Sequence, residues 1–160
     1  MRAIKILGVA AVALTISATA AWAQAGNPCA ELQAAAQTAL GAKGTMQETA
    51  VSYVGQDVAP GCVITFKGTG AVFGPNVMGA AAKLDAMMTA RGWKRDVNAD
   101  ADGPNETAGG YSKPGQLAPF DVSYDTPPGL CREDQPVASC RPTLVQKLYT
   151  ITLGLGPGPQ

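Results

Sequence analysis

Residues 76–93, Asn-Val-Met-Gly-Ala-Ala-Ala-Lys-Leu-Asp-Ala-Met-Met-Thr-Ala-Arg-Gly-Trp, carry the clearest periodicity in the chain. Val77, Ala80, Ala81, Leu84, Met87 and Met88 recur at helical spacing, Asn76 can cap the first turn, and Gly92 supplies a stop, so a helix is expected from Asn76 to Arg91. Its apolar stripe is mostly alanine and methionine. Small side chains let a helix approach a flat partner closely, and the sequence on both sides of this helix alternates like strands.

Before it, Cys62, Ile64 and Phe66 fall on one face of an expected strand from Cys62 to Lys67, and Val51 and Tyr53 mark a weaker one from Thr49 to Val54. After it, strands are expected from Trp93 to Val97, from Thr107 to Ser112, from Leu117 to Tyr124 and from Leu144 to Leu155. The polar, glycine-containing stretch from Asp100 reads as a hairpin turn. Asn27-Pro28, with Leu32, Ala36 and Leu40 before Gly41, predicts a short N-terminal helix with Cys29 on its apolar face. The order implies an α+β domain: an antiparallel sheet of five to six strands with one main and one short helix packed on one face. The other face, or an edge, is then open to a partner. Asp125 to Pro142, with four prolines, is expected as a long excursion, and the tail Gly156 to Gln160 as frayed.

The N-terminus carries an address. Arg2 and Lys5, an apolar run from Ile6 to Ile16, and Ala21-Trp22-Ala23 read as a signal peptide over residues 1–23, cut before Gln24. The apolar run is too short to span a bilayer, and Gly26-Asn27-Pro28 before Cys29 is unlike a lipoprotein signal. The expectation is a periplasmic or secreted protein, without stable membrane insertion after cleavage. Without Arg2 and Lys5, ten basic residues face twelve acidic ones, a net charge of about −2. No basic stripe points to nucleic acid.

Cys29, Cys62, Cys131 and Cys140 form an even set suited to two disulfides in an oxidising compartment. Three pairings are open. Cys29–Cys62 and Cys131–Cys140 are favoured, because the first ties the N-terminal helix to the following strand and the second closes a loop containing Pro136. The absence of Cys-x-x-Cys argues against a redox pair.

The chain contains no histidine. This excludes Ser-His-Asp and Cys-His catalysis and histidine-ligated zinc. A carboxylate pair or a Ser–Lys arrangement could still work, and the only glutamates are Glu31, Glu48, Glu106 and Glu133.

Three local patterns qualify as sites. Gly68-Thr69-Gly70-Ala71-Val72-Phe73-Gly74-Pro75-Asn76 imitates a phosphate-cradling turn, but its third glycine is one place late for G-x-G-x-x-G and Pro75 removes a donor. Asp96, Asn98, Asp100, Asp102 and Glu106 place oxygens at alternate positions around Gly103, as weak calcium loops do. In neither calcium register do the glycine and the final carboxylate both fit. The rival reading is a turn rich in Asp and Gly. Met78, Met87, Met88, Phe73, Trp93, Tyr111, Phe120 and Tyr124 could line a binding surface, although a domain so poor in aromatics needs most of them inside.

With Arg91-Gly92-Trp93 closing the helix, the turn Asp100-Ala101-Asp102-Gly103-Pro104 and the late strand through Tyr149, the chain resembles small exported proteins of unknown function from Gram-negative bacteria. That resemblance implies a periplasmic location and a hairpin turn at Asp-Gly-Pro, and it brings no activity. The leading expectation is a non-catalytic module binding another envelope protein, as adaptor or enzyme inhibitor, and needing no cofactor. The alternatives are a small-ligand or calcium binder centred on Asp96 to Glu106, and a carboxylate-based hydrolase.

Overall fold

The computed structural model describes residues 26–53, 59–131 and 140–158; the expected signal peptide and Glu133 lie outside them. The order is α1 (Pro28–Leu40), β1 (Gly44–Val51), β2 (Ala59–Thr69), α2 (Gly70–Phe73), α3 (Val77–Ala90), β3 (Lys94–Asp102), β4 (Glu106–Lys113), β5 (Gln116–Asp125), a 3-10 turn (Leu144–Gln146) and β6 (Leu148–Pro157). This is the expected α+β fold. Its six strands form one antiparallel sheet in the order β1-β2-β6-β5-β4-β3.

Helix boundaries follow their capping chemistry. The Asn27 side chain accepts hydrogen bonds from the Cys29 and Ala30 amides, Pro28 takes the first position, and Gly41 ends α1 at φ 68°. Asn76 caps α3 by accepting from the Gly79 amide at 2.8 Å.

The core lies between the helices and one face of the sheet. Cys62, Ile64 and Phe66 from β2, Tyr149, Ile151, Leu153 and Leu155 from β6, and Ala118, Phe120 and Val122 from β5 are buried there. They meet Leu32 and Ala36 of α1 and Ala80, Leu84 and Met88 of α3. Burial of this apolar face is the main stabilising term.

The two disulfides are Cys29–Cys62, which pins α1 to β2, and Cys131–Cys140, which closes the excursion on itself. Both favoured pairings are present, and they fit an oxidising, extracytoplasmic environment. No helix among the described residues is long and apolar enough to cross a membrane.

Several boundaries differ from expectation. The first strand spans Gly44–Val51 instead of Thr49 to Val54, because it is a polar edge strand whose Thr, Gln and Glu give no apolar alternation. Trp93 precedes β3 instead of opening it, and β3 runs on to Asp102. Leu144–Gln146 forms a 3-10 turn instead of strand. At the other end β6 continues to Pro157, and the Gly158 amide bonds the Gly115 carbonyl at 3.0 Å, so residues 156–158 of the expected tail are pinned to the β4–β5 turn.

Candidate functional site

The acidic run expected as calcium ligands is strand and turn, and its carboxylates point to different partners. Asp96, Asn98, Asp100 and Asp102 lie on β3 and Glu106 opens β4. On the helix-bearing face, Arg95 grips Asp100 through Nε at 2.9 Å and Nη2 at 2.7 Å. Its Nη1 donates to the Tyr111 hydroxyl at 3.0 Å, and the guanidinium sits 4.4 Å above the Phe120 ring. Asp102 accepts from the buried Thr107 hydroxyl at 2.6 Å. On the opposite face Asp96 accepts from the Tyr53 hydroxyl at 2.9 Å and from the Asn98 amide at 3.1 Å. Among the described residues no three Asp, Glu or Cys side chains gather as a metal-holding group. Asp96 and Asp102 tie β3 to Tyr53 and to β4, and Asp100 holds Arg95 in place against Tyr111.

Their neighbours titrate accordingly. Burial pushes the Tyr111 hydroxyl up to about 12, against the opposing pull of Arg95. Tyr53 is raised above the ordinary tyrosine range, by burial first and then by its bond to Asp96. Asp121, half-buried on the open face, is raised by burial.

The open face is partly covered. After Val51 the chain turns over it: a Cβ at Gly61 would meet the Leu155 carbonyl oxygen and then the Val51 side chain at 2.8 Å, and one at Gly154 would meet Pro119 at 2.9 Å and Val51 at 3.2 Å. Tyr53 reaches further, and its ring occupies the place of a side chain at Gly110 on β4. Glycine is required at these positions because another part of the chain lies against the strand. No sequence signal marked this strap.

The glycine-rich connection is likewise committed to the fold. Gly70 donates to the Lys147 carbonyl at 3.0 Å, Gly74 to the Gly70 carbonyl at 2.9 Å, and the Lys147 ammonium bonds the Pro75 carbonyl. Instead of a plain loop, Gly70–Phe73 form the short helix α2, and the Asn76 side chain caps the first turn of α3. The methionines and aromatics are mostly core: Phe73, Met88, Trp93, Tyr111 and Phe120 are buried, Met87 and Tyr124 pack against the core, and Met78 alone projects, 57% exposed. The described glutamates are dispersed over α1, β1 and β4.

What remains accessible is an edge of the sheet. All eight residues of β1 pair with β2 in unbroken register, from Gly44↔Phe66 to Val51↔Ala59. Its other side has no neighbour among the described strands. Thr45, Gln47, Glu48, Thr49 and Ala50 are exposed, and Glu48 is the strand's single charge. The Gln33 side chain covers one end by donating to the Gly44 carbonyl at 2.8 Å. An edge that is long, regular and nearly uncharged presents unpaired amides and carbonyls to any extended chain.

Searches against known protein families, curated proteins and solved structures find nothing that matches this chain.

Proposed function

We propose that this protein is a non-catalytic periplasmic module that binds another envelope protein, as an adaptor or enzyme inhibitor, by accepting an extended segment of its partner along β1. The observation that carries the reading is the eight-residue, unbulged β1 edge. Strand addition derives affinity from main-chain hydrogen bonds and specificity from alternate side chains. Partner residues would lie against Thr45, Gln47 and Thr49 on the open face and against Met46 and Glu48 on the helix side. The two disulfides and the N-terminal signal sequence support an exported location. The absence of histidine supports binding over hydrolysis.

The test is a photo-crosslinking amino acid placed at Gln47 on β1 or at Asn98 on β3, with adducts read in the native envelope. A discrete adduct from position 47 and none from 98 is expected. With the probe kept at position 47, Glu48→Pro and Thr49→Pro supply the control, because adjacent amides of an edge strand point alternately inward and outward. One proline breaks the β1–β2 ladder and lowers stability; the other leaves the fold intact and abolishes the adduct. Equal labelling from both edges, or adducts that survive both prolines, would refute strand addition.

A further inference from the structure

At the end of the sheet where the β4–β5 turn lies, α1 and the last turn of α3 flank a groove of about 1040 Å³. This lies at the upper end of the usual size for small-molecule sites, roughly 300–1,000 Å³. Leu32 and Ala35 of α1, Met87 and Ala90 of α3, Trp93 and Leu155 give it an apolar lining. Alanines on both helical walls leave the slot unfilled, where larger side chains would have closed it.

Its charge is uneven. Arg91 and Lys113 both line the groove on the Trp93 side: the Lys113 ammonium is 4.9 Å from the Trp93 ring centroid, its Cε would lie 3.9 Å from a Cβ on Gly92, and Arg91 adjoins that glycine in sequence. Among the described residues Glu31 is the only acid on the lining, and it belongs to the α1 wall. The ion pairs among the described residues all belong to Arg95, so Arg91 and Lys113 face the groove without a carboxylate. Gln116 adds a neutral donor at the same turn.

We infer that this groove binds a single-chain anionic amphiphile, its acyl chain along the apolar lining and its carboxylate or phosphate head between Arg91 and Lys113. Two cations next to a solvent-open apolar slot complement such a molecule at both ends, and charge-assisted bonds to the head orient it. The inference does not rest on strand addition at β1, since the groove uses neither that strand nor its edge.

Once residues 1–23 are removed, Trp93 is the only tryptophan in the chain and reports from within the groove. The processed, exported protein, its N-terminus checked by mass spectrometry, is titrated below micelle-forming concentration with oleate, oleoyl lysophosphatidate, oleyl alcohol and oleylamine. Saturable, one-to-one changes in Trp93 fluorescence are expected with one or both anions, and comparison of the two identifies the preferred head. Oleyl alcohol and oleylamine should bind at least about tenfold more weakly, and an Arg91→Gln/Lys113→Gln double variant should lose about tenfold in anion affinity with unchanged melting. Ala90→Phe, at an exposed position on the wall, should block binding while leaving the charges in place. No saturable response to either anion, or equal affinity for all four amphiphiles, would overturn the inference. So would binding of an acidic amphipathic helical peptide in preference to both anions, which would assign the groove to a protein partner.

Discussion

The two edges of this sheet are built on opposite terms. β1 is regular, nearly uncharged and paired without interruption over eight residues. β3 carries Lys94, Arg95, Asp96, Asp100 and Asp102, and its register with β4 shifts between Asp96 and Ala101. Charges and a bulge are the usual means of stopping a strand edge from recruiting another chain. A protein that closes one edge this thoroughly and leaves the other plain has an asymmetric sheet, and the asymmetry itself favours β1 as the binding edge. The fastenings also differ in kind. Next to β1 the Cys29–Cys62 bridge ties α1 to β2 covalently, whereas β3 is held by side-chain polar contacts on both its faces.

Removing the covalent fastening should have the largest effect. Cys29→Ala/Cys62→Ala opens a loop with a sequence separation of 33, against 9 for Cys131–Cys140. Loop-closure entropy predicts a loss of about 3–4 kcal/mol for the first and about 1 kcal/mol less for the second. Denaturant melts of the two double variants check the order, and amide exchange should show β1 and β2 loosening before β3.

A middle-sized effect is expected from Arg95→Ala, which removes the grip on Asp100, the bond to Tyr111 and the stacking on Phe120. A loss of about 2 kcal/mol is expected. Amide exchange should quicken in β3 and stay unchanged in β1; a uniform change would mean that the two edges are not independent.

The smallest effect is alkaline. Tyr111 is raised from its ordinary value to about 12, so the fold favours its protonated form. For such a group the stabilisation is fully present below pH 10 and is lost as pH rises from 10 towards 12. About 1 kcal/mol should therefore disappear by pH 11 through Tyr111 alone. Tyr53 is shifted in the same direction. Tyr149 on the central strand β6 is likewise pushed up to about 12 by burial, so loosening should begin at the centre and the β3 side before β1, which contains no tyrosine, and Tyr111→Phe should make the profile measured by thermal melts across pH 9–11 shallower.

The helices α1 and α3 and the Cys131–Cys140 bridge were legible because their signals are local: Asn27, Gly41 and Asn76 announce caps, and the spacing of Cys131 and Cys140 allows a short closed loop; α2, inside a glycine-rich stretch, carried no such signal. The edge strands were harder for a shared reason. A strand half-exposed at the rim need not alternate apolar with polar residues, so β1 read as loop at its start and the Asp and Asn residues of β3 read as a ligand turn. The polar partners that account for Asp96 and Asp100 are Tyr53, from beyond the opposite edge strand, and Arg95, and periodicity registers neither. The groove was hidden similarly: Met87 and Trp93 were visible as apolar residues, but their common position with α1 depends on how two distant helices sit on the sheet.

The place of β6 has a consequence for how the molecule comes into being. The last of the described strands in chain order is a central one, between β2 and β5, and it supplies Tyr149, Ile151, Leu153 and Leu155 to the core. Until residues 148–157 have left the ribosome, the β1–β2 hairpin and the β3–β4–β5 meander have no strand to join them. Such long-range pairing is slow to form. A nascent chain built this way stays open until residues 148–157 have emerged, the condition in which a polypeptide can still be threaded through a narrow membrane pore.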